Sequence, residues 1–278
     1  MSRRAVINAD DFGFSPAVNQ AIITAHREGI LTSTSLMVTG AAADSAIELA
    51  YQHPNLGVGL HLVLVSGRSV LPPAKIPHLV DATGEFPNSS LQAGLTYQFN
   101  RAARAELQLE IRAQLEKFRQ SGLPLTHVDG HKHLHCHPVV IDILVSLAPE
   151  FNIPLIRLPQ EELQLNLNWE RQDWLRKTLW WWIFNQLGQY GRSRLEAAGI
   201  QSMQRVYGLL QTGRISEDYL LDLIPQIQAD AVEIYAHPVA PLRGEPANSQ
   251  GAVELAALLS PRVRDSLLQA GFELVPFN

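Results

Sequence analysis

Short apolar runs of β type alternate with longer stretches of helical periodicity along most of this chain. "RAVINA", "STSLMVT", "GVGLHLV", "LTHVDGH", "IPLIRL", "RVYGLL", "AVEIYAH" and "FELVPF" form the strand series. Between them lie amphipathic segments. In "SPAVNQAIITAHREG", Ser15 is placed to cap a helix, Pro16 takes its first position and Gly29 stands near its stop. Residues 101–121 repeat Leu107, Ile111, Leu115 and Phe118 at spacings of four, four and three, the period of one buried helix face. About eight β–α alternations favour a single-domain, distorted (β/α) barrel of seven to eight strands over residues 1–278, rather than an open doubly wound sheet. No composition shift suggests a linker.

Two regions depart from the alternation. Residues 64–98 are rich in Pro, Gly and Ser, and a loop that long in a compact domain is usually functional or disordered. Residues 169–187 hold all five tryptophans. There Trp174, Leu175, Thr178, Leu179, Trp182 and Ile183 share one helical side, and Trp180, Trp181 and Phe184 widen it. One reading is a core or dimer-interface helix, since helices apolar all round are normally buried. The other is a lipid-facing lid, with Arg171, Arg176 and Lys177 turned to anionic headgroups.

Composition narrows the function classes. The formal net charge is −5 and no basic cluster offers a phosphate footprint, which argues against nucleic acid. The single Cys136 excludes an intrachain disulfide and fits a reducing cytoplasm. No stretch reaches the roughly 20 apolar residues of a membrane span, and aspartates interrupt the first residues before a signal-type apolar core forms. A homodimer is the commonest closed assembly.

In a parallel barrel, chemistry gathers at the C-terminal ends of the strands. Asp10 and Asp11 end the first run, His61 lies late in the third, "THVDGHKHLHCHP" follows the fourth and "YAHP" ends the seventh. Five of the ten histidines fall at 127, 131, 133, 135 and 137. Odd spacing in an extended segment would put them on one face. Imidazoles with a carboxylate are good ligands for a divalent metal such as Zn²⁺, Mn²⁺, Co²⁺ or Ni²⁺, with Mg²⁺ suited if waters complete its shell. In the pair Asp10–Asp11, one carboxylate can bind metal while its neighbour stays free as a base. An ordinary helix-entry pair is the plainer reading of those aspartates taken alone. Glycoside hydrolysis needs two positioned carboxyl groups, which the histidine-dominated motifs fit less well than a metal. A metal- or carbohydrate-binding barrel without turnover is a further alternative.

"NADDFG", "GLHL", "THVDGHKHLH" and "AHP", in that order, resemble the YdjC/ChbG family of carbohydrate deacetylases. The long loop, "GLHLVLVSGRSVLPPAKIPHLVDATGEF", is similar to that of a hopanoid-biosynthesis-associated branch. The resemblance implies a distorted barrel, one divalent metal, and removal of acetyl from an N-acetylated amino sugar. The implied substrate is acetylglucosaminyl hopanoid, a lipid-linked sugar met by peripheral contact with the inner face of the membrane, or else a soluble chitooligosaccharide. It also implies Asp11, His61 and His131 as metal ligands, Asp10 as base and His237 as acid. Asp129, His133, His135 and Arg157 remain as supporting groups or substrate contacts, Asp129 orienting a histidine and Arg157 holding a carboxylate.

Overall fold

The structure, a computed structural model, describes residues 3–241 and 249–277. The alternation read from the sequence folds as β1 (Arg3–Phe12), α1 (Pro16–Glu28), β2 (Ser33–Leu36), α2 (Ala43–Gln52), β3 (Gly57–Leu62), α3 (Ser90–Phe99), α4 (Arg101–Gln120), β4 (Val128–Gly130), α5 (Pro138–Phe151), α6 (Leu163–Trp169), α7 (Trp174–Ala198), β5 (Arg205–Tyr207), α8 (Glu217–Leu223), β6 (Ala231–Ala236), α9 (Gln250–Leu259), α10 (Pro261–Gln269) and β7 (Phe272–Leu274). The local signals act as expected at α1, where the Ser15 hydroxyl accepts from Val18 N–H and Pro16 opens the helix. On α4 the predicted stripe of Leu107, Ile111, Leu115 and Phe118 is buried.

All strand pairs are parallel, in the order β4-β3-β2-β1-β6-β5, with β7 added beside the first residues of β1. The sheet curls into a distorted barrel. "IPLIRL", expected as a strand, contributes only isolated bridges, Val128 to Ile156 and Leu155 to Gln201. With Val206 N–H donating to Gln160 O at 3.3 Å, that irregular segment spans the gap between β4 and β5. Pro154 lacks the N–H that a regular ladder needs. The core lies inside the barrel and under its helices, from Ala5 and Ile7 on β1 to Leu258 and Leu267 on α9 and α10.

The long loop is shorter than its composition suggested, because α3 begins at Ser90 under the Ser89 cap. Its first part is pinned from below. Buried Glu110 accepts the N–H groups of Val70 and Leu71 at 2.8 and 2.9 Å, and Tyr97 donates to Leu64 O at 2.6 Å. Satisfied backbone groups give the segment a fixed path over the barrel mouth. Among the described residues no helix is long and apolar enough to cross a membrane.

Candidate active site

At the C-terminal ends of the strands lies a cleft of about 410 Å³. Asp10, Asp11, His131 and His237 are in its wall, with Ser90, Lys132 and Arg176 around it and Trp180, Leu209 and Leu210 giving it an apolar side.

A break in β1 separates the two neighbouring aspartates. Its register against β2 shifts between Ala9 and Phe12, and Asp11 takes φ 66°. A bulge leaves a residue unpaired and re-aims its side chain, and Asp tolerates the left-handed region better than most residues. Asp11 is therefore partly exposed in the cleft, while Asp10 is buried, 1% exposed.

Asp11 Oδ1 lies 3.2 Å from His61 Nε2 and 3.0 Å from His131 Nδ1. One carboxylate oxygen and two imidazole nitrogens thus converge, all within 4.8 Å of one another. Behind them, Asp129 Oδ1 is 2.8 Å from His61 Nδ1, leaving Nε2 for the cleft side. A carboxylate on the far nitrogen is the usual support of a metal-binding histidine. This donor set fits a divalent ion, and its two nitrogens suit zinc-type ions better than Mg²⁺, which prefers oxygen.

The electrostatics agree. Burial opposes a charged His61, but the charge of Asp129 and the hydrogen bonds to Asp11 and Asp129 push it up to about 10. Burial likewise opposes ionisation of Asp11, yet His131 and His61 hold its carboxyl well below the usual range. Metal binding to imidazole and carboxylate ligands is coupled to the release of their protons. A second trio, Asp10, His61 and Asp129, is equally close, but it already has its cation in Arg157.

Arg157 is fully buried and joins three carboxylates. It donates to both oxygens of Asp10 at 2.8 Å and lies 2.7 Å from Asp129 and 2.6 Å from Glu233. Asn8 adds a donor to Asp10 at 2.9 Å. Asp10, expected to stay free of the metal as a base, is thus held at two points. Burial pushes Glu233 up to about 7 against the pull of Arg157, and its Oε2 has no hydrogen-bond partner. His237 lies across the cleft, its Nε2 3.7 Å from Asp10 Oδ2.

The histidine run does not share one face. Residues 131–136 coil into a tight turn in which Lys132 and His133 take φ 50° and 55°. His131 reaches Asp11. His133 Nε2 meets the Tyr235 hydroxyl at 2.8 Å, and burial, with the charges of His135 and Arg157 added, keeps its imidazole neutral. His135 is buried outside the cleft wall, with Nε2 3.0 Å from Arg157 O, and burial lowers it to about 4. His127 pairs with Ser35, and His137 caps α5. Their divergence follows from the positive φ values, which a period-two reading does not anticipate.

The tryptophan helix also departs from expectation. Trp174, Leu175, Leu179, Trp182 and Ile183 are exposed, so this side is not core. Lys177, expected at headgroups, is buried and paired with Glu170 at 3.2 Å. Trp180 stacks on Phe184 with ring centroids 5.6 Å apart, and Trp181 donates to Glu161 O at 3.0 Å. Sequence reasoning missed Asn8, which supports Asp10 from behind, and Lys132, Leu209, Leu210 and Thr212 around the cleft. The last three follow a three-residue strand, and nothing in "YGLLQT" marks them.

Comparison with known proteins places the chain. A family model described as YdjC-like protein matches residues 4–269. A carbohydrate deacetylase of Brevibacillus brevis is 43% identical over 156 residues, 56% of this chain and 59% of that protein. The match to that first relative thus spans under two thirds of its length. A chitooligosaccharide deacetylase of Yersinia pestis is 32% identical over 288 residues, covering 100% of this chain and 99% of its own. A crystal structure from Enterococcus faecalis V583, of a protein assigned provisionally to cellobiose-phosphate cleavage, shares the fold at TM-score 0.77 and 24% identity, covering 100% of this chain and 98% of that one. The chain belongs to the YdjC-like family.

Proposed function

We propose that this protein is a metal-dependent carbohydrate deacetylase that hydrolyses the acetamide of an N-acetylated amino sugar. The observation that carries the reading is the convergence of Asp11, His61 and His131 in the cleft wall, with Asp10 and His237 3.7 Å apart beside them. The names of the Brevibacillus and Yersinia relatives support it.

Asp11, His61 and His131 would hold a divalent cation, which would supply Lewis acidity toward the acetamide carbonyl and the attacking water. Asp10 takes the proton that the water loses as its oxygen bonds to the carbonyl carbon. Arg157 and Asn8 fix the carboxylate that receives it. An amine leaves poorly unless protonated, and His237 gives its proton to the nitrogen as the C–N bond breaks. Asp129 keeps His61 oriented, and His135 secures the backbone of Arg157.

Two substrates within this class are favoured by different observations. The name of the Yersinia relative points to a soluble chitooligosaccharide. The surface points to a lipid-linked sugar such as an acetylglucosaminyl hopanoid. Trp174, Leu175, Leu179 and Trp182 on α7 and Leu91, Leu95 and Phe99 on α3 are exposed, and both helices border the cleft through Trp180 and Ser90. Exposed apolar surface of this kind marks an interaction site. Incubating metal-loaded protein with diacetylchitobiose and with acetylglucosaminyl hopanoid, and measuring which loses acetyl, decides between them. Loss from neither overturns the proposed activity.

A further inference from the structure

Strand β5 ends at Tyr207, and the chain then turns so that three consecutive N–H groups meet one oxygen. Gly208, Leu209 and Leu210 donate to Oε1 of Glu161 at 2.7, 2.5 and 3.3 Å. Gly208 permits the turn: its φ is 132°, and a Cβ there would lie 2.6 Å from Tyr235 O. The Thr212 hydroxyl donates to Gly208 O at 2.7 Å and closes it. Glu161 is itself buried, and its Oε2 accepts from Asn166 Nδ2 on α6 at 2.8 Å. Among the described residues its side chain meets these N–H donors and no cation.

The main chain of Glu161 reaches the other half of the same wall. Its carbonyl oxygen accepts from Trp181 Nε1 on α7 at 3.0 Å, and the neighbouring Trp180 lines the cleft. Behind the wall, Glu161, Trp181, Phe184 and the two leucines leave a gap of only about 10 Å³. Trp180, Leu209 and Leu210 are the apolar residues around the cleft, and the others there carry polar or charged groups. An apolar wall supplied by a helix and a loop thus converges on one buried residue.

We infer that Glu161 is the positioning residue of this wall and sets how tightly the cleft binds the apolar part of its substrate. This role rests on the reading of the cleft as the site for an N-acetylated amino sugar. Such a sugar offers two apolar surfaces, the acetyl methyl group and the C–H face of the ring. A carboxylate oxygen can accept several N–H donors at once. An apolar side chain at 161 would leave three N–H groups without that acceptor, and the leucines that follow them would lose their fixed place. Contacts made equally with substrate and transition state change KM and leave kcat alone.

Glu161→Ala removes the acceptor. Glu161→Asp keeps the charge but is one methylene too short to hold all three donors, and Glu161→Gln keeps an oxygen in place. Amide hydrogen exchange at Gly208, Leu209 and Leu210 reads the clamp. Calorimetric binding of diacetylchitobiose and steady-state kinetics on it read the wall. The alanine and aspartate variants are expected to exchange these amides faster and to raise KM and Kd about tenfold. Their kcat and bound metal stay at the wild-type level, and Glu161→Gln restores KM and Kd. Leu209→Ala raises KM as well, and combining it with Glu161→Ala adds little, because both act through one contact. Where the alanine variant does not fold, Glu161→Asp carries the same comparison. Faster exchange with unchanged KM and Kd, or fully additive effects in the double variant, overturns the inference. Sugar binding without acetate release by wild-type protein defeats the deacetylase reading alone, since calorimetry still decides the role of Glu161. Failure of the wild-type protein to bind the sugar overturns the inference.

Discussion

Arg157 meets Asp10 through two parallel hydrogen bonds, Nη1 to Oδ2 and Nη2 to Oδ1, each 2.8 Å long. The same guanidinium also serves Asp129 and Glu233, so one buried cation holds three carboxylates from β1, β4 and β6. Removing one partner of such a group strands buried charge, typically at a cost of about 3–5 kcal/mol. Arg157→Leu is expected to lose stability of that order in urea denaturation. Arg157→Lys keeps a charge but not the planar fork, so it should retain more stability while losing turnover. A loss under about 1 kcal/mol for the leucine variant contradicts this role.

The two adjacent aspartates should separate cleanly. Asp11→Ala, like His61→Ala and His131→Ala, is expected to lose the bound divalent ion in elemental analysis. Asp10→Asn removes a base and no ligand, so it should keep its metal while kcat falls by about 10²- to 10⁴-fold. Metal loss in Asp10→Asn with full occupancy in Asp11→Ala reverses the assignment.

Much of this site was legible because strand ends are where barrel chemistry collects, and Asp10, Asp11, His61, His131 and His237 all border strand ends. Separate roles for Asp10 and Asp11 followed from the family resemblance, but the backbone geometry that separates them was not legible. It depends on a register shift and one positive φ, which alternating polarity does not encode. Arg157 was expected to hold a carboxylate, but which ones it holds was hidden for a related reason. "IPLIRL" reads as one more strand, but its pairing comes from isolated bridges, and the fully buried guanidinium found there is a product of tertiary packing. Glu161 lies in a segment without regular structure, where a buried carboxylate leaves no pattern.

Glu161 gives a pH dependence of stability. Its Oε1 accepts the N–H groups of Gly208, Leu209 and Leu210 at 2.7, 2.5 and 3.3 Å, fixing the apolar wall of the cleft. Burial nevertheless pushes its carboxyl up from 4.5 to about 7. Between those values the folded state binds more protons than the unfolded one, so this group makes stability fall as pH rises through that window. Glu233 acts in the same direction and range. Glu161→Gln should therefore flatten the decline seen in denaturation between pH 4.5 and 7. An unchanged slope contradicts the assignment.

The exposed side of α7 predicts a different outcome from a core helix. Replacing Trp174, Leu179 and Trp182 with Ser should leave the melting temperature nearly unchanged, since surface substitutions usually stay within about 0.5 kcal/mol each. If the face meets lipid, the triple variant sediments less with liposomes and keeps activity on a soluble N-acetyl sugar. A large fall in melting temperature shows the side to be packed in solution, for example against a second copy.

Acetate release from an N-acetylglucosamine oligosaccharide, followed through metal removal and restoration, tests the central claim most directly. Stripping the protein with chelator should abolish release, and adding back a divalent ion should restore it, with one free amine formed for each acetate. The Asp11→Ala protein should remain inactive after the same addition. Acetate release undiminished in the stripped protein, or absent from wild-type protein carrying its metal, contradicts the account.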